Sequence, residues 1–75
     1  MVTLYPEAAW RIAVYGCDNG IPHFHIEGPG FRATVGIERL ELIVGTVPAR
    51  ILSAAREWAR RHQDELMATW QELNG

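Results

Sequence analysis

The chain has 75 residues, a net charge of −2 and 48% hydrophobic residues, which are values typical of one small globular domain. All seven basic residues are arginines, so the composition excludes the broad polybasic surface of a non-specific nucleic-acid binder. Cys17 is the single cysteine, which excludes an internal disulfide. With no signal peptide recognised, these features favour a reducing, cytoplasmic location. No apolar run reaches the roughly 18 residues that cross a membrane, so no membrane association is expected.

Alternating hydrophobic residues predict an antiparallel sheet of about four strands. The expected strands are about 9–15, 23–27, 31–37 and 40–44. Residues 1–6 are expected to form an irregular leader, because Pro6 disfavours helical angles at Tyr5. The segment 16–20 contains an Asn-Gly pair and predicts an open loop, and Gly-Pro-Gly at 28–30 predicts a chain reversal. Short connections of this kind are typical of a meander.

The remainder of the chain predicts one long helix over about 48–73, with apolar residues at a spacing of three or four. Thr46 is the expected cap, and Pro48 suits the first turn. Such a helix would be about 39 Å long, which is more than a small sheet can cover. Either it bends near 63–65, or its Trp70 end packs on a second copy and makes a homodimer.

The predicted fold is therefore α+β, a single domain over residues 1–75 with the helix on one face of the sheet. The residues expected in the core or the dimer contact are Phe24, Ile26, Val35, Ile37, Leu42, Ile51, Ala55, Trp58, Leu66 and Trp70. His62 lies on the apolar helix face and is expected to be a hydrogen-bonded core histidine. Arg56, Arg60 and Arg61 with Glu57 are expected to form a solvated face.

A His-x-His motif on the second predicted strand is the candidate site. His23 and His25 point to the same face, with Cβ atoms about 6.5–7 Å apart. Two imidazoles at this separation can bind one metal ion or act on a substrate as acid and base. Glu27 shares the face, Asp18 lies in the adjoining loop, and Arg32 is placed to steady a phosphate. Alternatively, the histidines are polar surface residues with hydroxyl or backbone partners.

A longer pattern begins at this motif. It consists of Pro22-His23-Phe24-His25-Ile26, then Ile37, Gly45, Pro48, Trp58, His62, Glu65-Leu66 and Trp70. This pattern resembles the signature of a family of short bacterial proteins catalogued as a domain of unknown function. Ile21 stands where that family has a first proline, and the loop 17–20 differs from the family's loop. Asp18 is the candidate for the acidic residue that the loop often carries.

Some members of this family are described as toxins of type II toxin–antitoxin pairs, the DhiT-like group. The resemblance implies a bacterial cytoplasmic protein with a small antitoxin-like protein partner, and it matches the family's histidine pair to His23 and His25. It implies no reaction. The first hypothesis is a toxin that acts on RNA through both histidines as catalytic residues. The expected binding residues around them are Pro22, Asp18, Glu27 and Arg32.

Two further hypotheses use the same residues differently. The second is a non-catalytic protein-binding module whose sheet edge or helix engages a partner. The third is a metal-binding protein in which His23 and His25 hold a divalent ion together with a third ligand. No cofactor is predicted otherwise, and whether the protein is an enzyme is left open.

Overall fold

The computed structural model describes residues 2–6, 9–16 and 20–75. Within these residues, one sheet of five antiparallel strands in the order β1-β2-β3-β4-β5 is followed by two helices. The strands are β1 (Val2–Pro6), β2 (Arg11–Val14), β3 (His23–Gly28), β4 (Phe31–Gly36) and β5 (Leu42–Thr46). The helices are α1 (Ala49–Arg61) and α2 (Gln63–Asn74). The α+β class and the antiparallel meander are confirmed, whereas the expected four strands and single helix are wrong.

The extra strand is β1, in place of the expected irregular leader. It pairs with β2, with Val2 opposite Val14 and Pro6 opposite Arg11. Pro6 restricts its predecessor to extended angles, which are also the angles of a strand. A proline is tolerated in an edge strand where its N–H would face solvent, since that position takes no part in the ladder. The expected open loop lies largely at 17–19, outside the described residues.

The last strand begins two residues later than expected. Leu40 lies in the turn before β5 with a φ of 56°, and its N–H donates to the Gly36 carbonyl oxygen over 2.9 Å. β5 is an edge strand, and its pairing with β4 shifts register between Thr34 and Val35. Leu42 is consequently 43% exposed, so its predicted place in the core is wrong.

The predicted long helix is interrupted at His62, which has φ −127° and ψ 25°. Of the two expected outcomes, the bend therefore occurs, directly before the 63–65 region. Trp70 is 7% exposed within a single chain, so its burial needs no second copy, and the homodimer stays a prediction. The expected Thr46 cap is wrong. Thr46 pairs with Arg32 as the last residue of β5, and Pro48 takes the N-cap position of α1 without a side-chain hydrogen bond.

The core lies between one face of the sheet and the helices. Its buried members are Ile12, Val14, Phe24, Ile26, Val35, Ile37, Leu40, Ile51, Ala55, Ala59, Leu66 and Trp70. The predicted core residues are among them except Leu42 and Trp58, and Trp58 packs against this cluster half-buried. Neither described helix is long and apolar enough to cross a membrane.

The second helix, α2, contacts the ends of β4 and β3 in turn. At its start, the Gln63 Nε2 donates to the carbonyl oxygens of Ile37 and Glu38 just beyond β4, over 2.9 and 3.1 Å. Near its end, the Trp70 ring lies 4.7 Å from the His23 ring at the start of β3. These contacts fix one end of the sheet, where the His-x-His motif begins.

Replacing Gln63 by alanine is expected to lower the free energy of unfolding by about 1–2 kcal/mol, because two backbone carbonyls lose their donor. Urea denaturation measures this change. Gln71→Ala, on the exposed surface of the same helix, is the matched control and should stay within about 0.5 kcal/mol of the parent. Equal effects of the two substitutions would show that Gln63 does not tie α2 to the sheet.

Candidate functional site

The side chains of β3 alternate between the core and the opposite, polar face of the sheet. Phe24 and Ile26 are fully buried in the core, as expected for a period of two. His23, His25 and Glu27 occupy the alternate positions. The polar face is defined here by these three residues and by their neighbours on β2, on β4 and directly after β2. Those neighbours are Arg11, Tyr15, Arg32 and Thr34.

Glu27 is the centre of a charged cluster on this face. Arg11 lies opposite it on β2 and donates from Nε and Nη2 to Oε1, over 3.1 and 3.0 Å. Arg32 lies opposite it on β4, and its Nε is 3.0 Å from Oε2. The Tyr15 hydroxyl donates to the same Oε2 over 2.6 Å. One carboxylate therefore fixes two guanidinium groups and a phenol.

The cluster keeps Glu27 charged although its side chain is only 14% exposed. Burial by itself raises the pKa of Glu27, but hydrogen bonds from Tyr15 and Arg11 and the charge of Arg32 outweigh it, so the pKa lies below its ordinary value. The hydrogen bond to Glu27 raises the pKa of Tyr15 in turn, so the phenol stays protonated. Two guanidinium charges and one carboxylate leave the cluster with a net charge of +1.

His25 is held between other rings on the same face. Its ring centroid lies 5.0 Å from that of Tyr15 and 5.1 Å from that of His23, both in edge-to-face geometry. Its Nδ1 is 3.3 Å from the Thr34 hydroxyl oxygen. With 9% of its surface exposed, His25 is the most constrained of the polar-face residues named here, and contacts on several sides fix its orientation.

His23 is half-buried and has a defined tautomer. Its Nδ1 is 2.8 Å from the Ile21 carbonyl oxygen. Because a carbonyl oxygen only accepts hydrogen bonds, Nδ1 carries the hydrogen, and in the neutral ring Nε2 carries the lone pair. Packing against Trp70 fixes the ring from the helix side. The arrangement places the His23 ring beside that of His25, with the cationic cluster farther along β3.

The structure brings together four of the residues predicted from the sequence. His23, His25, Glu27 and Arg32 lie on the polar face, all on β3 and β4. Pro22 lies half-buried beside them and lines a separate cleft. Asp18 lies outside the described residues. The alternative that the histidines are polar surface residues is correct in their hydroxyl and backbone partners. It is wrong in their exposure, since His23 is half-buried and His25 is buried.

Sequence reasoning missed Arg11 and Tyr15. Both were correctly placed opposite Ile12 and Val14 by the alternating pattern of the first predicted strand. What the pattern lacked was the register between β2 and β3, which brings Arg11 against Glu27. The signal in the sequence was an Arg-x-x-x-Tyr pattern on one predicted strand next to a His-x-His-x-Glu pattern on the following strand, which together could have indicated a contact of Arg11 and Tyr15 with Glu27.

The described residues contain no group of three histidine, cysteine, aspartate or glutamate side chains arranged for a metal ion. The metal-binding hypothesis therefore has no third ligand among them. Glu27, the expected candidate, has both oxygens engaged by Arg11, Tyr15 and Arg32. Metal binding by His23 and His25 stays a prediction.

The helix residues singled out from the sequence have structural contacts. His62 donates from Nδ1 to the Trp58 carbonyl oxygen over 2.8 Å and stacks on the Trp58 ring at 4.2 Å. The expected hydrogen bond is present, but His62 is half-buried and lies outside the core cluster, so its predicted place in the core is wrong. Arg60 pairs with Glu57 over 3.0 Å, both exposed, as expected for a solvated face.

Comparison with known proteins assigns the chain to one protein family. A family model described as a domain of unknown function, DUF4160, matches residues 9–71. The match contains every residue of the polar face and all elements from β2 to most of α2. No curated protein and no solved structure matches the chain. The chain belongs to the DUF4160 family, a domain of unknown function.

Proposed function

We propose that the protein is the toxin component of a type II toxin–antitoxin pair and cleaves single-stranded RNA on the polar face of its sheet. The observation that carries this proposal is the pair of imidazoles, 5.1 Å apart, on one strand with a carboxylate that fixes two guanidinium groups. When the ribose 2′-hydroxyl of the RNA is itself the nucleophile, cleavage of the phosphodiester requires a general base, a general acid and fixed positive charge near the phosphate.

The proposed reaction uses the ribose 2′-hydroxyl as the nucleophile. His23 accepts the 2′-hydroxyl proton at Nε2, the 2′-oxygen forms a bond to the adjacent phosphorus, and the bond from phosphorus to the 5′-oxygen breaks. His25, in its protonated form, donates a proton to the leaving 5′-oxygen. The products are a 2′,3′-cyclic phosphate and a 5′-hydroxyl, and proton transfer through solvent restores both imidazoles. An imidazole performs either role near neutral pH.

The two arginines attract the RNA backbone. Arg32 and Arg11 remain 61% and 45% exposed while bound to Glu27, so their outer nitrogens reach solvent. Arg32 also lies over the Tyr15 ring, 5.5 Å from its centroid, and that ring touches His25. A backbone phosphate at Arg32 is therefore aligned with the histidines along β3. The overall charge of −2 makes this attraction local to the polar face.

Growth of a bacterial host after induction of the gene tests this proposal. The parent protein is expected to arrest growth and to degrade cellular RNA, whereas His23→Ala/His25→Ala is expected to permit growth. His62→Ala, which removes the histidine outside the polar face, is the matched control and should still arrest growth. Circular dichroism establishes that each variant folds. Arrest by the folded double variant would contradict the proposal.

A second candidate function is a non-catalytic protein-binding module, and the edge strand β5 favours it. All five residues of β5 are exposed, including the apolar Leu42, Ile43 and Val44. An exposed apolar edge is a template for strand addition by another chain. If a small antitoxin-like partner adds a strand here, Val44→Lys will prevent its co-purification and leave growth arrest intact. Co-purification without any growth arrest would favour the binding module alone.

A further inference from the structure

A cleft at the histidine end of the sheet is not used by the proposed cleavage chemistry. It has a volume of about 260 Å³ and is lined by Ile21, Pro22, Gly36, Glu38, Arg39 and Glu41. We propose that this cleft is a nucleobase subsite with a preference for guanine, so that the protein cleaves RNA on the 3′ side of guanosine. This inference rests on the proposed function and specifies which nucleotide of the RNA the protein recognises.

The position of the cleft places a bound base next to the reacting phosphate. Pro22 directly precedes His23 in the chain, and Gly36 is the cross-strand partner of His23 in the pairing of β3 with β4. Two lining residues are therefore immediate neighbours of the proposed base. A nucleobase in the cleft directs its ribose and 3′-phosphate towards the His23 and His25 rings.

The surface of the cleft offers apolar contacts to an aromatic group. Gly36 has no side chain, and a Cβ placed there would lie 3.7 Å from the Ile43 Cδ1 and 3.9 Å from the Ile21 Cδ1. The exposed side chains of Ile21 and Ile43 thus converge at the buried Gly36, and they give a planar ring an apolar surface to pack on. The volume is below the roughly 300–1,000 Å³ of pockets for drug-sized ligands, so it suits a single base.

The polar groups of the cleft distinguish guanine from the other bases. Glu38 and Glu41 are acceptors, and Arg39 is a donor. Guanine presents the N1–H and N2–H₂ donors on one edge and the O6 and N7 acceptors on another, which complements a carboxylate and a guanidinium together. Adenine lacks the donor at N1 and the acceptor at position 6. Uracil has no exocyclic amine, and cytosine has no ring N–H donor.

Binding of 3′-mononucleotides to the full chain, measured by isothermal titration calorimetry, tests the subsite. We expect 3′-GMP to bind at least tenfold more tightly than 3′-AMP, 3′-CMP or 3′-UMP, since a good bidentate contact discriminates by about tenfold to hundredfold. Glu38→Gln/Glu41→Gln is expected to abolish that preference without lowering the affinity for inorganic phosphate. Gly36→Val, which fills the cleft, should have the same effect.

Glu65→Gln/Glu72→Gln, on α2, removes the same charge away from the cleft and should keep the preference for 3′-GMP. Equal binding of the four nucleotides, with inorganic phosphate still bound, would overturn the guanine subsite and leave the proposed function standing. Failure of the folded parent protein to bind any nucleotide or inorganic phosphate would overturn both.

Discussion

Replacing His23 by alanine is expected to slow cleavage of single-stranded RNA by about 10²–10⁴-fold, the usual contribution of a general acid or base. The reason is specific to this ring. Its Nδ1–H donates to the Ile21 carbonyl oxygen, so Nε2 is the nitrogen that accepts the ribose proton in the proposed reaction. Single-turnover cleavage of a labelled oligonucleotide measures the rate constant.

His62→Ala is the control for this measurement, because His62 lies on the helix and contacts Trp58. It should retain the parent rate constant if circular dichroism shows it to be folded. A His23→Ala protein that cleaves at the parent rate would remove His23 from the chemistry. Parent activity that disappears with a chelator and returns with a divalent ion would instead support a metal ion held by the two histidines.

Replacing Glu27 by glutamine is expected to lower the free energy of unfolding by about 2 kcal/mol. The substitution keeps the size of the side chain but removes the charge that pairs with Arg11 and Arg32. Loss of a buried ion-pair partner costs more, about 3–5 kcal/mol, but both arginines are well exposed here and water compensates part of the loss. Urea denaturation at pH 7 measures the change, with Glu72→Gln on α2 as the matched control.

The stabilisation by Glu27 should also depend on pH. The folded-state pKa of Glu27 lies below its ordinary value, because Tyr15 and the arginines favour the carboxylate against the effect of burial. Its contribution is therefore present above the unfolded-state pKa of about 4.3 and is lost as pH falls through the folded-state value. Glu27→Gln should lack this component, so its stability should approach that of the parent in acid. A constant difference from pH 7 to pH 3 would contradict the assignment.

The alternation of strand residues was the reliable part of the sequence prediction. A period of two placed Phe24 and Ile26 in the core and His23, His25 and Glu27 on the other face, and the structure agrees on every one of them. Side-chain direction along a strand follows from local backbone geometry, so no tertiary information was required.

What the sequence could not supply depends on contacts between distant segments. The pairing of Arg11 with Glu27 depends on the register of β2 against β3, and the alternation along each strand does not by itself determine that register. Leu42 looks like a core residue by pattern but is exposed because β5 is the last strand of the sheet. The break at His62 has no glycine or proline to mark it, and the Gln63 contacts beyond β4 hold it in place.

The most direct test of RNA cleavage on the polar face is to identify the termini that the purified protein produces from a single-stranded RNA oligonucleotide. Mass spectrometry is expected to find a 2′,3′-cyclic phosphate and a 5′-hydroxyl. An oligonucleotide with a 2′-deoxy sugar at the cleavage position should remain intact, because it lacks the proposed nucleophile. Cleavage of that 2′-deoxy oligonucleotide, or intact RNA after incubation with folded protein that arrests growth, would contradict the proposed chemistry.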